Sequence, residues 1–300
     1  MKFYRIEVNK LMKKKNITPY MFLAPHLVLF LVFMAIPAVF GILISFTSWN
    51  IIDAPKFVGL ANYKEILIDS SSTFYYQFHN GFKNTLFFVV ITVPFMIMLP
   101  LLLSVALNAK PKGHKIFQAL FYIPTLLSIS SVILTWTFLF NRSLGAINNI
   151  LKLDIVWQGV VPYSWIAMLI ITTWWGIGGN MVIYLSGLAS VPQEQYEAAS
   201  IDGANLAKKF WYITLPGIKN QLAYTLVLTT IAQFNVYGQP LMFSNGGPSG
   251  KTTVLLMYIK QLAFGSGQSI AGIASAMAVM LGLCIIAVSL VQFRLMRNAD

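Results

Sequence analysis

Charge is scarce in this sequence. Only 10% of its 300 residues are charged and nine are acidic, against roughly 25% charged in a soluble globular domain. With 57% hydrophobic residues and a mean hydropathy of +0.70, a water-soluble fold is excluded and a polytopic membrane protein is expected. Cysteine is nearly absent. The one residue, Cys284, lies in an apolar run, which excludes a disulfide framework and reads as a small buried side chain. The three histidines, His26, His79 and His114, are too scattered for a metal site, so no metal is assigned. No Gly-rich Lys-Ser/Thr phosphate loop is present, so the chain does not bind ATP by that route. No Ser/His/Asp group can be assembled either. No catalytic residue is assigned, and an enzyme is not expected. Heptads, low-complexity tracts and obvious repeats are also missing.

What the chain has is long runs free of Asp, Glu, Lys and Arg. Each exceeds the roughly 20 residues that cross a bilayer core. Trimmed of polar ends, they predict an all-α fold of six membrane helices: Tyr20–Trp49, Thr85–Ala109, Phe117–Phe140, Trp165–Leu188, Gln221–Phe243 and Ser269–Phe293. Pro37, Pro94, Pro100 and Pro124 read as kinks whose freed backbone groups neighbours satisfy. The whole chain, 1–300, reads as one membrane domain, with a basic segment over 1–19 and a polar loop over 191–220. The first apolar run is too long for a signal peptide and lacks a small-residue cleavage site, so it reads as a retained helix. With the amino end inside, inner segments hold fourteen Lys/Arg and outer segments seven, which places both termini and the 191–220 loop in the cytoplasm. The net charge of +12 flanks the spans and forms no continuous patch, so the partner is the lipid bilayer and not nucleic acid. No acidic or basic residue sits at a span centre, which argues against a proton- or voltage-coupled machine.

The 191–220 loop organises the chain. It holds Glu194, Glu197 and Asp202, and one mid-bilayer carboxylate alone costs about 2.5–3.5 kcal/mol, so this stretch lies at or beyond the membrane surface. Pro192 suits a helix start, Asp202-Gly203 a turn, and Asp202 the cap of a second helix starting near Ala204. Leu206, Ala207, Phe210 and Trp211 share one face of that second helix, and Phe210 and Trp211 read as packing that ties the loop to the spans.

Glu197-Ala198-Ala199, Asp202-Gly203-Ala204, Phe210, Ile213, Leu215 and Pro216 resemble the EAA loop of ABC importer permeases. Val191-Pro192-x-x-x-Tyr196, Phe57-Val58-Gly59-Leu60-x-Asn62-Tyr63, Asn84-Thr85, and Asn245-Gly246-Gly247-Pro248 with Thr252-Thr253 resemble the carbohydrate-uptake branch, first permease type. Asn220 departs from the proline common after the Leu-Pro, and the large extracellular domain of some maltose permeases is absent.

The resemblance implies a permease subunit of an ATP-driven importer of sugar, with an oligosaccharide as the expected cargo, in a bacterial or archaeal plasma membrane. Its partners would be a second, related permease, two ATP-binding cassette ATPases carrying ATP and Mg, and an extracytoplasmic sugar-binding protein. No cofactor is expected on this chain. Glu197, Ala198, Ala199, Asp202, Gly203, Ala204, Leu215 and Pro216 would couple to the ATPase, with Glu197 as the electrostatic anchor. Thr173, Trp174, Trp175, Gly176, Gln233, Asn235 and Tyr237 would line the substrate path, with Asn180 a weaker candidate. Gln233 and Tyr237, at i and i+4, would share a face. Asn245, Gly246, Gly247 and Pro248 would dock the binding protein. A secondary transporter, or an importer of a non-sugar solute, is the alternative.

Overall fold

A computed structural model describes residues 18–265 and 270–297; the basic amino-terminal segment and Ser269 thus lie largely outside the described residues. The chain is mostly helical. Thr18–Phe30, a π turn at Leu31–Ala35 and Ile36–Ile44 form one apolar rod, α1. Two short strands, Thr47–Ser48 (β1) and Lys56–Phe57 (β2), pair antiparallel. There follow Ala61–Leu67 (α2), Thr73–Asn108 (α3), His114–Tyr122 (α4), Ile129–Leu139 (α5), Ala146–Leu151 (α6) and Tyr163–Ala189 (α7). Gln193–Ile201 (α8), Leu206–Lys209 (α9) and Leu215–Gly217 (α10) make up the polar loop. Lys219–Phe234 (α11), Gly238–Ser244 (α12), Leu255–Phe264 (α13) and Ala271–Arg297 (α14) complete the chain.

Among the described residues, four helices are long and apolar enough to cross a membrane: α1, α3, α7 and α14. The sequence placed α7 within two residues at each end. It started α3 twelve residues late, because Lys83 bounds the charge-free run that begins at Asn84. Ser72 caps α3 through its hydroxyl, which accepts from Phe74 N, and the polar turns that follow are paid out in contacts with the 245–255 segment.

Two expected helices are not continuous. Phe117–Phe140 is α4 and α5, separated by a 3-10 turn at Ile123–Leu126 and bent by 104°. Pro124 lacks the N–H that an α-helix would use, Leu127 turns extended, and Ser128 then caps α5 by accepting from Ser131 N. Pro124 therefore sits in a break and not in a kink. Gln221–Phe243 is α11 and α12, interrupted at 235–237. Pro240 is the cause: in a continuous helix its ring would clash with the Val236 carbonyl and leave that carbonyl without a donor.

The core forms around α3. Helix α7 packs along it, and α11 and α13 pack against other faces. One buried cluster joins Phe88, Ile133, Trp165, Met168, Ile171 and Phe243, and a second joins Val93, Phe234, Leu255, Ile273 and Met277. By contrast the apolar window of α1 is not buried, and its main helix neighbour is α14. Beyond the spans, Arg142 makes a bidentate pair with Asp154 (2.6 and 2.7 Å), which holds the Asp154 carboxyl below its ordinary range. Both side chains are exposed, so the pair orders a loop without adding much stability.

Candidate functional site

The polar loop has a packed root and an exposed helix. In α8, Asp202, Gly203 and Ala204 form a complete Schellman ending: Gly203 N donates to Ser200 O (3.1 Å) and Ala204 N to Ala199 O (2.8 Å). Gly203 adopts φ +74° with open space around its Cα, so what it supplies is backbone conformation and not clearance. Asp202 ends α8. The cap of the next helix is Asn205, whose side chain accepts from Lys208 N (2.9 Å), and that helix starts at Leu206. This corrects the expectation for Asp202. The chain needs two residues to leave the left-handed turn before a second helix can begin.

A π turn at Phe210–Thr214 follows, closed by Leu215 N on Phe210 O. It precedes Pro216, whose missing N–H would interrupt a regular α-helix here. Phe210 and Leu215 pack against Leu101, Tyr184, Leu188 and Ile218. Trp211 does not share this role; it is 65% exposed, edge-on to Phe210. Tyr196 and Thr214 hydroxyls meet at 3.1 Å, and Lys209 Nζ donates to Ser200 Oγ (2.6 Å), which fixes α8 on the root. Helix α8 itself buries no residue, and Glu194, Glu197 and Ala198 are exposed while Ala199 is half-buried. A cavity of about 770 Å³ opens between α8 and the end of α3, lined by Glu197, Ser200, Lys209, Phe210, Asn108 and Lys110.

The mid-span candidates are mostly engaged in holding the broken helices. Trp175 Nε1 donates to Leu127 O (3.1 Å), and Thr125 Oγ1 donates to Trp175 O (3.1 Å), so Trp175 staples the α4–α5 break. Trp174 is 40% exposed and edge-on to Trp136. Thr173 is buried, and its hydroxyl has no partner among the described residues. Gly176 leaves room for the Met96 methyl.

Met96 is a junction that the sequence reading missed. Pro100 lies four residues on and cannot donate to the Met96 carbonyl. Asn180 Nδ2 donates to it instead (2.8 Å) and also to Thr229 Oγ1 (3.0 Å). Gln233, 6% exposed, points its Nε2 at Met96 Sδ (3.2 Å). A proline four residues after a buried carbonyl was the available signal. Replacing Asn180 with Leu is expected to cost about 1–3 kcal/mol by orphaning that carbonyl. Pro100→Ala should recover much of the loss, because it restores the helical donor. Thermal unfolding of the two single variants and the double variant in detergent checks this; additive losses would refute it.

Gln233 and Tyr237 do not share a helical face, because α11 ends at Phe234. Asn235 is exposed and bonds back to Ile231 O (2.8 Å). Tyr237 instead faces α13, with Lys260 Nζ 4.4 Å from its ring centroid.

The Asn245–Pro248 segment is a tight knot. Asn245 and Gly246 take positive φ, and the Gly247–Pro248 peptide is cis. Thr252 Oγ1 donates to Gly247 O (2.7 Å) and Thr253 Oγ1 to Gly246 O (3.2 Å). Asn84 Nδ2 reaches Gly250 O and Thr253 O, while Thr85 Oγ1 accepts from Leu255 N (2.9 Å). Asn62 does the same for β1 by donating to Ser45 O and Thr47 O. From Asn84 to Asn108, α3 rises about 36 Å, so this knot and the α8 loop lie at opposite ends of the bundle.

A family model described as binding-protein-dependent transport system inner membrane component matches residues 78–300. The probable ABC transporter permease YesP of Bacillus subtilis (strain 168) is 34% identical, over 94% of this chain and 91% of that protein. The multiple sugar-binding transport system permease MsmF of Streptococcus mutans is 32% identical over 93% and 95%, and the arabinooligosaccharides transport system permease AraP of Bacillus subtilis (strain 168) is 32% identical over 94% and 89%. A chain of a bacterial ABC transporter that imports the acidic polysaccharide alginate superposes with a TM-score of 0.76 at 22% identity, covering 96% of this chain and 99% of that one, which is a likeness of fold. The chain accordingly belongs to the family of inner-membrane components of binding-protein-dependent transport systems, the permeases of ABC transporters.

Proposed function

We propose that this permease forms one half of the translocation pathway of an ATP-driven importer of saccharides. The observation that carries the proposal is α8: a helix that buries nothing, held on a packed root at one end of a family-matched bundle. A helix so presented suits a partner's groove. Glu197, Ala198 and Ala199 on α8 and Asp202–Ala204 at its end would meet an ATPase, while Leu215 and Pro216 hold the root. The bias toward Lys/Arg on one side supports cytoplasmic termini, with the basic 1–19 segment and the 191–220 loop on that side of a single membrane domain. Counting α4–α5 and α11–α12 as two broken spans gives six crossings.

The sugar reading rests on MsmF and AraP, whose names specify sugar substrates and which this chain matches nearly end to end. A second permease would cover exposed faces such as that of α1, two ATPases would supply ATP and Mg, and an extracytoplasmic binding protein would dock at Asn245–Pro248. Thr173–Gly176, Gln233, Asn235 and Tyr237 would border the path around the broken helices. Affinity purification from native membrane in mild detergent, followed by mass spectrometry, tests the assembly. Recovery of a second permease and a Walker-motif ATPase is expected. Recovery of this chain alone, with transport intact, would refute it.

A further inference from the structure

At the end of the bundle opposite α8, a cavity of about 510 Å³ lies between the α11–α12 break and α13, lined among others by Tyr237, Asn245, Thr253, Tyr258, Lys260 and Gln261. That volume suits one or two sugar rings. Its chemistry is one-sided. Asn245 and Gln261 bring amide groups, the two tyrosines bring aromatic faces, and Lys260 brings a positive charge. Among the described residues no carboxylate lines it. The sequence has no Asp or Glu from Gly203 to Ala299, so no acid on the elements that build this cavity can neutralise Lys260. Among the described residues Lys260 makes no ion pair; its ammonium lies over the Tyr237 ring instead.

A cation over an aromatic face is held only weakly when it is exposed. An anion gives a charge-assisted hydrogen bond of about twice the strength of a neutral one. Lys260 can therefore exchange the ring for an acidic group on a ligand without breaking an ion pair. The freed Tyr237 face is then available to stack on a sugar ring. Resting on the saccharide-importer reading above, we infer that this cavity selects saccharides carrying an acidic group, a carboxylate or a phosphate, with Lys260 as the selecting residue.

The test uses the complete transporter in its native membrane. Initial uptake is measured for a uronate-containing oligosaccharide, a sugar phosphate and a neutral oligosaccharide. At least one acidic saccharide is expected to enter about tenfold faster than the neutral one, and Lys260→Gln to slow it about tenfold, as loss of one hydrogen bond to a charged group implies. Lys260→Arg should retain most uptake. Uptake of the uronate or of the phosphate alone assigns the group; uptake of both supports selection by charge.

Neutral uptake as fast as acidic uptake in the unaltered protein would overturn the inference, whether or not the variants assemble. So would equal losses for all saccharides in Lys260→Gln, which would place Lys260 at the lipid headgroups and not in the path. If no saccharide enters while another solute does, the importer reading itself falls and this inference with it.

Discussion

Glu197→Lys is expected to abolish ATP-driven uptake, by about 100-fold or more, while the protein still accumulates in the membrane. Glu197 is exposed on α8, and that helix buries nothing, so the change leaves the packing of the bundle intact. Its effect falls on whatever docks there. Reversing a charge at the centre of a docked surface removes one attraction and adds a repulsion, and truncating one partner of a desolvated charge pair already costs about 2–5 kcal/mol. The measurement is twofold: uptake rate, and the amount of ATPase that co-purifies with the variant. The account expects the ATPase to be lost and the second permease to be kept. If ATPase recovery and uptake are both unchanged, α8 is not the coupling element.

Gly272→Val is expected to be the most damaging small substitution outside that loop. Gly272 is the second residue of α14, and a Cβ there would overlap the Thr47 carbonyl oxygen and sit 3.0 Å from Asn62 Nδ2. The obstacle is backbone and cannot rotate away. Asn62 donates to both Ser45 O (2.8 Å) and Thr47 O (2.9 Å), and Ala271 N donates to Trp49 O (2.9 Å), so forcing α14 outward breaks several bonds that join α1, α2 and α14. Overpacking costs about 1–3 kcal/mol and each orphaned buried group about as much again, so a loss of roughly 3 kcal/mol or more is expected. Gly282, on the same helix, has nothing within 4 Å of a Cβ, and Gly282→Ala is expected to be neutral. Thermal unfolding of both in detergent checks the contrast. Equal stability of the two variants would show that this junction does not hold the fold.

How much of this was legible in the sequence depended on whether the information was local. Helix α7 was, because its apolar run ends in polar residues at both sides. The Gly203 turn was, because a left-handed helix ending asks for glycine. The cap was misread by three residues, since Asp202 and Asn205 are both suitable side chains and only the Schellman ending decides between them. The start of α3 was missed because Lys83 cuts the charge-free run at Asn84, while the acceptors that hold Asn80 and Asn84, on Gly250 and Thr253, lie some 170 positions away. The break before Pro240 was readable and was passed over in favour of the apolar run. The candidate path divided the same way. Trp175 and Asn180 stood out as polar or aromatic groups in a span, but their partners are backbone atoms on other elements: Leu127 O, in the extended turn between α4 and α5, and Met96 O, freed by Pro100. Lys260 was counted only as a charge, because its meeting with Tyr237 is made by a loop between them.

The most direct test of the central claim is uptake into proteoliposomes holding the co-purified complex, with ATP enclosed or omitted and the saccharide-loaded binding protein added outside. The account predicts accumulation that requires both enclosed ATP and the binding protein, and that is lost with Glu197→Lys. Accumulation without ATP, at the same rate in Glu197→Lys, would contradict it and make the chain a transporter that α8 does not drive.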